Sequence, residues 1–539
     1  MTKPTARKQP DACRGFSGLP TGQDLSRLRP LDAVVVIASP GMRNWSWATA
    51  AMVTAVASAS HAADAPPAYL LLADPLGRVV AAPTNEVPAR LQPPASLGLG
   101  GQTPQFQHGT PLPREVLERI QQAGVARDKL AWFPATQVPL PRYLASNDEF
   151  GNTASKPGAL VPATPLDVAV QQGKYWSSTA GLRYSLEQTF TWVSLTDVMQ
   201  GANTLGFYTL DFAGKWLVFD APAAGTAGWI STQIEAKSGL GAAGRTQSAQ
   251  SNLGTITNPT GIWSSHEGFR IPELAWQQSF HDGEWVVVAG MVSQGNYLDG
   301  NSYANSGRGQ FLNSALIDTM VVPLTAYNLG VNFQWQPDDE FYVLLGNSVG
   351  YGHAGVVPWA DFSWDNWSLV GEFGYAPQDF LGLGPGVYRV QPFVGQALGE
   401  PCQVGLGLNF QQQLGRESRF GWFGRFGQGG SERFHDGKET VGTGSQVGTG
   451  FVMKGPLEFL GLFPSREQDA AGIGFVWSRP TSAMSPVYHQ NEYAFEAGYV
   501  LQLTPTAKLQ PDLQVVWNAA HNPDSSPALI AQVQLDLTW

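Results

Sequence analysis

No run of about 18 apolar residues occurs after residue 62 of this chain, which excludes helical membrane spans there. Charge is also scarce: Asp, Glu, Lys and Arg make up 14% of the sequence, against roughly a quarter in ordinary soluble domains. The eight His residues form no HExxH and no close metal-binding pair, and neither GxSxG nor GxxxxGK[ST] occurs. Zinc hydrolase, serine hydrolase and P-loop chemistry therefore have no motif to rest on, and no cofactor or metal is expected. What the chain does have is aromatic residues (11%) and 61 glycines. This balance suits a transmembrane barrel, where only half of each strand faces lipid; composition alone fits an aromatic-rich secreted β-protein equally well.

Met42-Arg43-Asn44 precedes an apolar stretch from Trp45 to Ala59 and small residues at Ser60 and Ala62. That is a secretory signal with cleavage after Ala62. Residues 1–41 then read as an upstream extension, with translation beginning at Met42. Loss of residues 1–62 removes seven basic and three acidic residues, so the formal charge moves from −11 to −15 and argues against nucleic acid as a partner. Cys13 is lost too, so Cys402 is expected to be a lone buried or lipid-facing thiol with no internal disulfide. Residues 63–171 are rich in Pro and Ala and poor in strand patterns, a periplasmic extension with one short helix at 112–124 (LPREVLERIQQAG).

From residue 172 to 539 the pattern changes. In the closing AQVQLDLTW, Ala531, Val533, Leu535, Leu537 and Trp539 alternate with Gln532, Gln534, Asp536 and Thr538. Successive strand side chains point to opposite faces, so one face is greasy and the other wet. Such segments recur from residue 180 onward and number about sixteen. Connections after even strands are mostly short (HDG at 281–283, QPDDE, LGRES, TPTAK). Those after odd strands are mostly long, notably 238–268 and 293–326. Exceptions are 397–403, which is short, and 377–386 and 456–470, which are long. SLGLGG (96–101) and FLGLGP (380–385) read as flexible turns. An even count with alternating short turns and long loops is that of an all-β, antiparallel transmembrane barrel, and Trp539 is its terminal insertion signal.

Strand parity nominates the lumen side chains: Arg183, Glu187, Asp211, Glu235, Glu273, Glu372, Arg389, Asn409, Arg425, Glu492, Glu496 and Asp512. Leu210, Phe212, Trp276, Trp367, Phe373, Tyr388, Trp422 and Phe426 would then meet lipid. A charge such as Glu273 or Arg425 on the lipid face would cost roughly 2–4 kcal/mol near the midplane, so the lumen is its only tolerable side. The bland alternative for each is a salt bridge bracing the wall. The loop Tyr297 to Asn313 is long enough to fold inward as a constriction, offering Asp299, Asn301, Asn305 and Arg308; an external packed loop is its alternative. Glu492 and Glu496, four residues apart on a strand, are about 13 Å apart at ~3.3 Å per residue, too far for a glycosidase pair.

Across roughly residues 172–539, YTLDFAGKW (208–216), IPELAWQQSF (271–280), the stretch 290–316 with its QFLN, NWSLVGEFGY (366–375), GWFGRFG (421–427) and 492–516 together resemble the carbohydrate-selective porins of the OprB family. That resemblance implies a water-filled barrel in the outer membrane passing small sugars, monosaccharides among them, by passive diffusion. Its partners would be sugars in transit, outer-membrane lipid and the β-barrel assembly machinery, with no enzymatic step. Two other readings stay open: a general diffusion porin for other small solutes, and a plugged structural or adhesive surface barrel. Acids outnumber bases in the lumen set, which favours neutral or cationic solutes. Oligomeric state is not legible.

Overall fold

The computed structural model describes residues 69–73, 79–83, 160–161, 164, 166–167, 169–170 and, apart from gaps in connections between strands, 182–539. The signal sequence, the upstream extension and the 112–124 helix lie outside the described residues. Within the Pro/Ala-rich stretch, β1 (Tyr69–Ala73) and β2 (Val79–Pro83) form a two-stranded sheet that pattern reading did not anticipate. YLLLA and VVAAP are uniformly apolar and show no alternation, so periodicity had nothing to detect.

Sixteen further strands close into an antiparallel barrel: β3 (Leu182–Leu195), β4 (Thr204–Ala221), β5 (Thr226–Leu240), β6 (Gly268–Phe280), β7 (Trp285–Val292), β8 (Asn328–Trp335), β9 (Phe341–Val349), β10 (Trp367–Tyr375), β11 (Gly386–Gln396), β12 (Gln403–Gln413), β13 (Phe420–Gln428), β14 (Thr443–Lys454), β15 (Ala470–Pro480), β16 (Glu492–Gln502), β17 (Ala507–Trp517) and β18 (Ala528–Thr538). Each strand pairs with its sequence neighbours, and β18 pairs with β3 to close the ring. The last residue takes part: the Trp539 N–H donates to Leu186 O at 2.8 Å, and the Leu186 N–H donates to Trp539 O at 3.0 Å. Closure removes every free strand edge, which is what lets a sheet stand in lipid without unpaired backbone groups. Among the described residues no helix is long and apolar enough to cross a membrane.

The alternation is realised physically. Trp276, Phe373, Trp422, Phe426, Phe451 and Val533 project outward and are exposed, whereas their neighbours Gln277, Glu372, Arg425 and Gln534 are almost wholly covered on the inside. The attachment of the chain to the barrel begins before residue 172. Leu160 and Val161 donate to the carbonyls of Gln502 and Leu503, and Thr506 Oγ1 donates to Asp167 at 2.6 Å. Cys402 stands just ahead of β12, and Cys13 lies outside the described residues.

Candidate functional site

Two of the long connections turn into the barrel. The first, between β5 and β6, carries the short helices α1 (Gly241–Thr246) and α2 (Ala249–Leu253). The second runs from Ser293 to Tyr327 between β7 and β8 and contains α3 (Ser314–Ile317). A backbone bond from Gln294 N–H to Thr325 O, 2.8 Å, pins the neck of the second. The two segments clasp each other: the Ser314 N–H donates to Asn258 O, and the Asn258 N–H donates to Ser314 Oγ.

The inward charges hold these segments. Glu273 accepts from Tyr297 OH at 2.7 Å, from Asn296 Nδ2 at 3.0 Å and from Ser231 Oγ. Glu372 accepts from the Asp299 N–H (2.8 Å), Tyr342 OH (2.8 Å) and Gln391 Nε2 (2.8 Å), with Arg389 Nε 3.6 Å away. Glu496 accepts from the Leu312 and Asn313 N–H groups at 2.6 and 2.9 Å. Glu492 takes those of Ile256, Thr257 and Ala520. Asn409 donates to Asp299 and accepts from Asn301 Nδ2. Asp299 sits at φ 61°, a conformation that side chains rarely adopt, and its carboxylate accepts from Thr319 N–H and Oγ1 at 2.6 and 2.7 Å. Arg425 joins the knot, donating to Asp299, to Ala304 O (2.7 Å) and to Leu316 O (2.6 Å).

At the segment's tip Arg308 donates to Thr189 Oγ1 (2.9 Å), Thr209 Oγ1 (3.0 Å) and Asp211, with Glu187 at 3.5 Å. Burial works against the Arg308 cation, but the carboxylates of Asp211, Glu187, Asp536 and Glu235 outweigh it and hold the pKa above its ordinary value. Asn305 accepts from the Asn301 N–H at 3.0 Å, keeping the tip compact. Glu235 pairs with Lys237 at 2.9 Å and accepts from Tyr327 OH. Asp512 accepts from Gln514 Nε2 and faces Gly498. Arg183 occupies its register position opposite Lys215; its side chain lies outside the described residues.

Glycines on the inward faces make room for the segment. A methyl group at Gly421 would overlap the Tyr303 ring, at Gly427 Val321, at Gly407 Val322, at Gly472 Phe311 and at Gly474 Leu316. Apolar side chains of the segment thus lie directly on backbone. Neither this glycine floor nor the role of the 241–261 segment was read from the sequence. The signal was present as Gly at alternate positions (472 and 474, 448 and 450) on inward faces. Beside the tip a cleft of about 110 Å³ stays open, lined by Tyr303, Phe311, Ser302, Gln310, Lys454 and small residues of β15 and β16. Burial pushes the Tyr303 phenol up to about 12, so it faces the cleft uncharged. Among the described residues no cluster of His, Cys, Asp and Glu suited to a metal ion is found.

The model of the carbohydrate-selective porin OprB family matches residues 403–539, about a quarter of the chain. The high-pH structure of Pseudomonas putida OprB superposes with TM-score 0.53 at 14% identity, over 68% of this chain and 96% of that one. The low-pH structure of the same protein gives TM-score 0.42 at 15% identity, over 68% and 95%. A mutant of Rh. blastica porin gives 0.41 at 8% identity, over 66% and 100%. No curated protein matches the sequence. The first of these likenesses supports the barrel fold.

Proposed function

We propose that this chain is an outer-membrane porin of the OprB type, through which small neutral hydroxylated solutes, sugars above all, diffuse passively. The observation that carries the reading is a closed sixteen-strand barrel, greasy outside, whose interior holds a folded segment hung with Asn, Gln and Tyr side chains. Polar groups fixed on the segment exchange hydrogen bonds with a passing hydroxyl, while a ring such as Tyr303 offers a face to its C–H bonds. No covalent step is involved, so the protein acts as a channel and not as an enzyme. Among the nominated lumen residues, those that touch the segment set the aperture by holding it, and Arg183 and Asp512 belong to wall strands beside it. Export by the signal ending at Ala62, insertion guided by Trp539 through the barrel assembly machinery, and lipid around the outward face follow from the same reading.

A second reading draws on one specific observation: Glu273, Glu492, Asn301 and Asp299 are completely covered. A barrel so filled would serve as a structural surface protein. Liposome swelling distinguishes the two. Purified protein in vesicles is expected to admit monosaccharides faster than larger oligosaccharides. No swelling with any solute would leave the filled-barrel reading; equal entry of sugars and similarly sized amino acids would leave a general porin.

A further inference from the structure

Two connections at the short-turn end of the barrel exceed the length a strand reversal needs, and they share a sequence. Residues 377–385 read PQDFLGLGP and residues 456–464 read PLEFLGLFP. A proline, an acid and FLGL recur in order, with proline again at the end. The first follows β10 and the second follows β14, where it opens with helix α4 (Pro456–Phe459). In each the central glycine, Gly382 or Gly461, takes a positive φ (78° and 68°) with open space where a side chain would stand. These glycines serve the bend and make no close contact.

The turns expose the side chains that a water-facing turn normally hides. Leu381 is 83% exposed, Leu460 64%, Leu462 62% and Phe459 58%. Their acids are turned back into the frame: Asp379 accepts from the Gly384 N–H at 3.1 Å, and Glu458 pairs with Arg419 at 2.7 Å. The β12–β13 turn between them ties both together, through Arg419 on one side and a bond from the Gly415 N–H to Leu383 O on the other. A braced rim therefore presents two uncharged apolar tips. The tips continue the outward apolar wall: Phe380 packs on Tyr388 of β11 at 4.6 Å, and Phe459 meets Phe420 of β13 edge-on at 5.8 Å.

We infer that the twin FLGL turns are membrane anchors, inserting Leu381, Leu383, Phe459, Leu460, Leu462 and Phe463 into the headgroup–acyl boundary of the phospholipid leaflet at that end. Exposed apolar patches of this kind mark an interaction surface, and continuity with the lipid-facing wall selects lipid as the occupant. The inference rests on the barrel standing in a membrane but not on what passes through it.

The test replaces Leu381, Leu460, Pro337 and Phe373, one at a time, by p-benzoylphenylalanine and irradiates the folded protein in phosphatidylethanolamine vesicles. Pro337 is an exposed residue of the ordinary β8–β9 turn, and Phe373 is outward on β10. Lipid adducts at Leu381 and Leu460 are expected at yields within about threefold of Phe373 and at least about tenfold above Pro337. Yields no higher than at Pro337, or adducts chiefly to a second copy of the chain, would overturn the inference while Phe373 still labels lipid. Failure at Phe373 as well would remove the membrane-barrel reading itself. Heat-modifiable mobility verifies that each variant is folded.

Discussion

The segment inside the barrel is held at two places by arginine, and the two differ in what the guanidinium grips. At the inner knot Arg425 and Asp299 have no exposed surface, and most of the arginine's bonds go to the backbone carbonyls of Asp299, Ala304 and Leu316. At the tip Arg308 keeps 12% of its side chain exposed and binds the side chains of β3 and β4, namely Thr189, Thr209, Asp211 and Glu187. The knot therefore fixes the shape of the segment, because carbonyls at 299, 304 and 316 meet at one cation. The clip fixes where the tip lies against the wall and leaves charge beside water. A fully buried cation and a slightly exposed one of the same type thus do different work.

Removing the knot should give the largest effect. Arg425→Ala leaves Asp299 buried without its cation, a change of about 3–5 kcal/mol when a fully buried pair loses one member. Backbone amides from 299 to 320 should lose hydrogen-exchange protection and single-channel conductance should rise. Arg425→Lys should rescue little, since a single ammonium cannot span three carbonyls and a carboxylate. Unchanged exchange and conductance would show that the segment is shaped without this residue. Next in size is Glu496→Ala, which leaves the Leu312 and Asn313 N–H groups without an acceptor. An unsatisfied buried group costs about 1–3 kcal/mol. Faster exchange confined to residues 310–316 is expected, and wild-type protection there would refute the anchoring role.

The barrel was legible because its physics is periodic. Each strand alternates between lipid and interior, so Glu372 between Gly371 and Phe373 declares its side, and all sixteen strands were found from that pattern. Which inward charges meet water was not legible. Glu273 and Arg425 stand out in sequence as charges in aromatic surroundings, but their partners Tyr297 and Leu316 lie on a segment whose path is set by contacts distant in sequence. The glycine floor was hidden for a related reason: Gly at alternate positions, as at 472 and 474, marks a face with room on it but does not name the distant side chains, Phe311 and Leu316, that fill the room. Likewise the acids that outnumber bases in the lumen set are not all free to act on solutes. Glu492 and Glu496 are occupied by backbone N–H groups, so the count of charges overstates the field that a solute would meet.

Arg308→Ala tests the other side of the comparison. Its stability effect should be the smaller of the two arginines, because its 12% exposure admits some water to the vacated carboxylates, whereas none reaches Asp299. Its electrical effect should be distinct: Asp211 and Glu187 lose their cation, and the reversal potential in a salt gradient should move toward cation preference. An unchanged reversal potential would show that neither carboxylate reaches the conducting path.

The smallest change is expected at the floor beneath the tip. Gly421→Ala places a methyl group where the Tyr303 ring now lies. The ring is the mobile partner, because Gly421 belongs to a strand paired on both sides and cannot retreat. Tyr303 should therefore rotate toward the open cleft beside Phe311 and Gln310 and reduce its volume. With the knot and clip untouched, conductance to small ions should fall by less than about twofold, while swelling rates should fall more for bulky sugars than for small ones. The double variant Gly421→Ala with Tyr303→Ala removes the displaced ring and should restore the wild-type size dependence. If the single variant slows every sugar equally, the cleft is not on the path, and selection by size rests with the knot-shaped part of the segment alone.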